Sequence, residues 1–291
     1  MHQNDQHNTD ALALRKHAVA WAAGIAAVVA VAALFASSSS ALAGSAKSKD
    51  EAAKPTIVLV HGAWANRSSW DRVTMRLEKD GYTVDVPANP LRSLSGDSAY
   101  LASYLGSING PIVLVGHSYG GAVITNAATG NANVKALVYV DAYLPDQGQS
   151  LVDLTGPGSC FYVPDLGQVF NFVPIPGAPS DDLDVYVKPD LFPGCFANGL
   201  PPKEGAALAA AQRPITTYAL NEQSGVPAWR TIPSWAVVGL ADHVIPPAGQ
   251  LAMANNAGAK ITEIDDAPHL SMISNPETVT HVIERAANAT S

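Results

Sequence analysis

Six short apolar runs punctuate the chain from residue 57 onward: Ile57–Val60, Tyr82–Val86, Ile112–Val115, Ala136–Val140, Trp235–Val238 and Ile261–Ile264. Four of them are nearly continuous and rich in β-branched residues, the pattern of parallel strands buried on both faces. Between the runs, apolar residues return at helical spacing. Trp70, Val73 and Leu77 form one stripe that Gly81 closes, and Leu101, Tyr104, Leu105 and Ile108 form another before Gly110. Strands that alternate with helices imply βαβ units, so the expected fold is α/β, a mainly parallel six-stranded sheet with helices on both faces. In such sheets function gathers beyond the carboxyl ends of the strands.

The rhythm breaks once. About 90 residues separate the fourth run from the fifth, far more than an ordinary loop holds. Leu144 to Pro202 contains ten of the 21 prolines and, apart from Phe35, every phenylalanine: Phe161, Phe170, Phe172, Phe192 and Phe196. This stretch is expected to be a proline-rich cap insertion, at about 144–231, with little regular structure before a helix over Lys203 to Leu220. The phenylalanines either form the cap's own small core or line a pocket beneath it.

The amino end has a different character. Arg15-Lys16-His17 precedes an uncharged apolar run from Ala18 to Ala36, then four serines and Ala41-Leu42-Ala43. A basic region, an apolar region and a small-x-small site occur in the order of a secretory signal peptide, so residues 1–43 are expected to be removed after Ala43. A retained membrane anchor is the alternative, because 19 apolar residues nearly span a bilayer. Residues 44–54 read as a flexible linker and 55–291 as the folded domain. Export implies a secreted or periplasmic protein without stable membrane association. Seventeen Lys+Arg against 25 Asp+Glu form no basic stripe, which argues against a nucleic-acid partner. The oligomeric state is left open.

The third run ends Val115-Gly116-His117-Ser118-Tyr119-Gly120-Gly121, and an apolar helical stretch, Ala122 to Ala128, follows at once. This is Gly-x-Ser-x-Gly in a strand–turn–helix context, where a tight turn exposes the serine and points it at a helix amino end. Ser118 is therefore the expected nucleophile. A serine needs a base, and the base an orienting carboxylate, in the chain order Ser, acid, His. Asp242 follows the fifth run and His269 the sixth, so all three fall at one edge of the sheet. Asp141, after the fourth run, is the alternative acid. Asp265 and Asp266 read as solvated turn carboxylates, His243 and His281 as bystanders, and His61 and His117 as ligands of loop backbone. The oxyanion hole is expected from the backbone N–H of Tyr119 and that of Ala63 or Trp64, in the loop after the first run.

VLVHGAW, VLVGHSYGGAVI, the Ala241-Asp242 to Pro247 stretch and APHLSMISNPETV resemble the serine α/β-hydrolases, in particular the compact esterase branch that includes plant methylesterases and hydroxynitrile lyases. The resemblance runs from Thr56 to about Ala287, except Leu144 to Pro202. It implies the α/β-hydrolase fold, a Ser118–Asp242–His269 triad acting on small-molecule esters, a cap over the pocket, and no cofactor or metal. The chain departs from the pattern in lacking the usual amino-terminal antiparallel hairpin. Where hydroxynitrile lyases carry a lysine after the catalytic histidine, this chain has Leu270, which counts against lyase chemistry. Cofactor-free haloperoxidases are similar in using the same triad, so perhydrolysis stays open, as does a non-catalytic ligand-binding role.

Cys160 and Cys195, the two cysteines, both lie in the insertion. In an exported chain they are expected to form a disulfide rather than two buried thiols. The combined expectation is a secreted carboxylesterase that cleaves esters of apolar small molecules through an acyl-enzyme.

Overall fold

The computed structural model describes residues 54–290. The expected signal peptide (1–43) and all of the expected linker except Lys54 lie outside these residues. The chain begins with β1 (Thr56–Val60), α1 (Asp71–Lys79), β2 (Val84–Asp85), α2 (Leu94–Gly106), β3 (Ile112–His117), α3 (Tyr119–Ala127) and β4 (Val134–Val140). There follow α4 (Leu151–Leu154), β5 (Phe170–Pro174), β6 (Leu183–Val187), α5 (Pro202–Ala210), β7 (Ile215–Thr216) and α6 (Thr217–Asn221). It closes with β8 (Ser234–Gly239), α7 (Pro247–Asn256), β9 (Lys260–Ile264), α8 (Ser271–Ser274) and α9 (Pro276–Ala289).

Each expected apolar run contributes a strand to one six-stranded sheet, in the order β2-β1-β3-β4-β8-β9, with every neighbouring pair parallel. The order fixes the helix faces. The chain moves outward from β1 to β2 through α1, then reverses through α2 to reach β3 beyond β1. Right-handed crossovers in opposite directions place α1 and α2 on opposite faces of the sheet. Accordingly α2 packs on α3, and α9 returns to pack on α1. The central strands are apolar on both faces because both are covered: β3 has no residue that is not buried.

Register decides where the loops emerge. Val60 pairs with Gly116, His117 with Val140, Val140 with Val237, and Gly239 with Ile264. The strand ends are therefore level, and the loops after β1, β3, β4, β8 and β9 share one edge.

Between β4 and β8 the structure departs from expectation. Instead of little regular structure, β5, β6 and β7 form a three-stranded antiparallel sheet. Its signal was the alternation Leu183, Val185, Val187, in which Val185 and Val187 are buried, obscured by the surrounding prolines. The helix expected over Lys203 to Leu220 is broken. α5 stops at Ala210, and Pro214, which lacks an N–H and cannot continue a helix, leads into β7. The phenylalanines divide their roles. Phe192 and Phe196 fill the core of this region with ring centroids 4.8 Å apart, Phe161 and Phe170 line a cavity, and Phe172 is partly exposed.

Cys160 and Cys195 form the expected disulfide, with Cα atoms 5.9 Å apart. Closing a loop of 35 residues removes denatured-state entropy worth about 3–4 kcal/mol. The double variant Cys160→Ser/Cys195→Ser is expected to melt roughly 10 °C lower in a calorimetric scan, with the far-ultraviolet dichroism of the native protein retained. An unchanged melting temperature would remove the bridge from the account of stability.

Candidate functional site

Ser118 sits between β3 and α3 at φ 54°, ψ −124°, a backbone region that L residues adopt only under constraint. The flanking glycines make the turn feasible. A Cβ on Gly116 would stand 2.5 Å from the carbonyl oxygen of Gly120, and one on Gly120 would stand 2.6 Å from that of Val60. Tyr119 opens α3, so its N–H is one of the helix's unpaired amino-terminal donors. Its phenol is held elsewhere, donating to Asp97 Oδ2 at 2.8 Å.

Asp242 and His269 come together. His269 Nδ1–H donates to Asp242 Oδ2 at 2.9 Å, with both side chains fully buried. Asp242 is saturated with donors. Oδ1 accepts from the N–H groups of Val244 (2.7 Å) and Ile245 (3.0 Å), and Oδ2 also accepts from Gln250 Nε2 (2.7 Å). Burial raises the pKa of Asp242, and these donors pull it down. Burial lowers that of His269, to about 3, which keeps the imidazole neutral. With the proton on Nδ1, the unprotonated Nε2 is a free base, and it has no hydrogen-bond partner.

His117 and His61 serve loop backbone, as expected. His117 Nε2–H donates to the carbonyl of His269 at 3.0 Å, holding the backbone that carries the imidazole. His61 Nδ1–H donates to Gly62 O at 2.9 Å, and Nε2 accepts from the N–H of Asn89 at 3.2 Å. Burial first, then the nearby Arg213 and Arg67 charges, lower His61 to about 4. Arg213 also holds the loop after β1 through its carbonyl, which accepts from the N–H of Trp64 at 3.1 Å. Trp64 thus spends its N–H inside the fold, whereas that of Ala63 makes no such bond. His243 and His281 are exposed, as are Asp265 and Asp266. Asp141 is buried and does not contact His269 by hydrogen bond; it bonds Gly239 and Ser271 instead.

The sequence reading missed Gln250, Asn89 and Arg213. Gln250 had a local signal, since Pro246-Pro247 starts α7 and places residue 250 one turn in, facing back toward Asp242. Asn89 and Arg213 had none, because they meet His61 only in the folded chain.

A cavity of about 200 Å³ opens beside Ser118, lined among others by Trp64, Tyr143, Leu151, Phe161, Phe170 and Val244. Its wall carries no Asp, Glu, Lys, Arg or His. Trp64 ties the strand edge to the insertion above it, with its ring 5.0 Å from Phe161 and 5.4 Å from Phe170. The inner hydroxyls are already engaged: Thr155 Oγ1–H donates to Leu151 O at 2.9 Å, and its oxygen pairs with Tyr143 Oη at 2.9 Å. Burial pushes Tyr143 up to about 12, so it is an uncharged phenol. Among the described residues, no three His, Cys, Asp or Glu side chains converge as a metal site would require. No described helix is long and apolar enough to cross a membrane.

A strained serine at a strand end, backed by an Asp–His pair on neighbouring loops, is an arrangement suited to nucleophilic acyl transfer. The chain belongs to the alpha/beta hydrolase family, whose model matches residues 57–282. It is 36% identical over 110 residues to the carbendazim hydrolyzing esterase of Nocardioides sp. (strain SG-4G), a match covering 33% of this chain and 46%, less than half, of that protein. It is 26% identical over 244 residues to methylesterase 7 of Arabidopsis thaliana, covering 76% and 91% of the two chains. The solved pyrethroid hydrolase of Sphingobium faniae JZ-2 has the same fold, with a TM-score of 0.63 at 23% identity over 81% of this chain and 98% of that one.

Proposed function

We propose that this chain, an ester hydrolase in line with its named relatives, cleaves carboxylic esters of apolar small molecules with Ser118 as nucleophile. His269 Nε2 takes the hydroxyl proton as Ser118 Oγ attacks the ester carbonyl, and Asp242 stabilises the resulting imidazolium. The tetrahedral oxyanion accepts from the N–H groups of Tyr119 and Ala63; the engagement of the Trp64 N–H with Arg213 supports Ala63 over its neighbour. Collapse expels the alcohol with the proton from His269. Water, deprotonated by His269, then releases the acid from the acyl-enzyme. The residues between 144 and 231 act as the cap over this site.

The observation that carries this reading is the buried Asp242–His269 pair, whose Nε2 has no hydrogen-bond partner, at the same sheet edge as a serine at φ 54° on the wall of an uncharged cavity. The same wall supports the apolar preference, because a carboxylate or ammonium on the substrate would lose its water there without a counter-charge. Phe161→Ala is expected to lower kcat/KM for p-nitrophenyl butyrate roughly 10-fold, mainly through KM, as loss of about 1.5 kcal/mol of apolar contact would do. Faster turnover of esters bearing a charged acyl group than of neutral ones would contradict the substrate assignment.

We further propose that the protein is exported and that its leader is removed after Ala43. The Cys160–Cys195 bridge supports an oxidising destination. Amino-terminal sequencing of the protein recovered outside the cytoplasm is expected to begin at Gly44. Recovery of the full chain in the membrane fraction would support the anchor instead.

A further inference from the structure

Asp141 is a fully buried carboxyl group that the chemistry above does not use. It follows β4 at φ 43°, a left-handed conformation that a non-glycine residue keeps only when its surroundings hold it. Its side chain spans two loops. Oδ1 accepts from the N–H of Gly239 at 2.8 Å, the last residue of β8 and three before Asp242. Oδ2 accepts from the N–H of Ser271 at 3.3 Å and from the Ser271 hydroxyl, two residues beyond His269. One carboxyl group therefore joins the strand end that carries the acid to the turn that carries the base. On its other side that turn is held by His117 through the His269 carbonyl, so the imidazole is braced from both directions.

We propose that Asp141 is a positioning residue, which with Ser271 locks the loop of His269 against the loop of Asp242 and so sets the geometry in which Nε2 meets Ser118. This rests on the function proposed above. The hydrogen bonds separate the two carboxyl groups: Asp141 accepts from Gly239 and Ser271 and makes no bond to the imidazole, whereas Asp242 Oδ2 receives the imidazole N–H. The electrostatics agree. No ion pair among the described residues includes Asp141; burial and the charge of Asp242 both push its pKa well above the usual carboxylate range. The three donors around it, the N–H groups of Gly239 and Ser271 and the Ser271 hydroxyl, oppose that shift and hold the carboxyl group between the two loops.

The test compares Asp141→Ala, Asp141→Asn and Ser271→Ala in the full chain, with active sites counted by a fluorophosphonate before p-nitrophenyl butyrate kinetics. Per titrated site, Asp141→Ala is expected to lose roughly 10- to 100-fold in kcat, with KM within about twofold of the parent, as a misplaced base would give. Asn, which has the same shape and can still accept from Gly239 N–H, is expected to recover most of that loss. Ser271→Ala should lose severalfold in kcat while melting within a few degrees of the parent, and it keeps the test alive if the Asp141→Ala variant does not fold. Parent kcat per titrated site in Ser271→Ala, or an Asn variant no better than Ala, would overturn the proposal. Failure of the functional reading is distinguishable, because it would show in the parent protein as no fluorophosphonate label on Ser118.

Discussion

Ser118→Ala is expected to reduce kcat for p-nitrophenyl butyrate by roughly four to six orders of magnitude, leaving only what the oxyanion donors and substrate binding supply. The loss is large because no other group can replace it. Ser118 sits on the cavity wall, while His269 is fully buried and Asp242 lies behind it. A water in the vacated space would be a poorer nucleophile, without the fixed direction that the strained turn gives Oγ. The substitution should leave folding intact. Alanine is smaller, and the backbone at residue 118 is held by bonds to its carbonyl from the N–H groups of Gly121 (2.9 Å) and Tyr143 (3.3 Å). KM is expected to change little, because the apolar wall that binds the substrate is unaltered. A melting curve and a KM measured on residual turnover check both points.

Asp242→Asn is expected to cost roughly 10³- to 10⁴-fold in kcat at neutral pH, with little loss of stability. The reason lies in the donors around this side chain. Val244, Ile245 and Gln250 all point N–H groups at it, so the single oxygen of asparagine must turn toward the two backbone donors and its amide nitrogen toward His269. An N–H facing Nδ1 forces the proton onto Nε2. The imidazole then presents a donor to Ser118 where a base is needed. Asp141 gives no relief, since its carboxyl is bound to Gly239 and Ser271. Steady-state kinetics with active-site counting measures the effect. Parent-like turnover in Asp242→Asn, together with severe loss in Asp141→Asn, would move the acid to the end of β4.

How much of this was legible beforehand depended on how local the signal was. The four central strands of the sheet were readable because burial on both faces leaves runs such as Ile112 to Val115 with no polar residue. Ser118 was readable from five consecutive residues whose glycines the turn requires. His269 and Asp242 followed from the level strand ends, which a parallel sheet imposes. What escaped depended on distant meetings. Arg213 reaches the loop after β1 from the far end of the insertion, and no spacing in the chain announces that the Trp64 N–H would be taken. β5 and β6 were hidden for another reason: their alternation is short and set among turns rich in proline and glycine, where composition suggested irregular chain.

The central claim is that one strained serine carries the covalent chemistry. Incubation with a fluorophosphonate, followed by intact-mass measurement and peptide mapping, tests it most directly. The account predicts one equivalent bound per chain, on Ser118, with hydrolysis lost in proportion to labelling and no label on Ser118→Ala. Label on a different residue, or full hydrolysis by protein completely modified at Ser118, would contradict it.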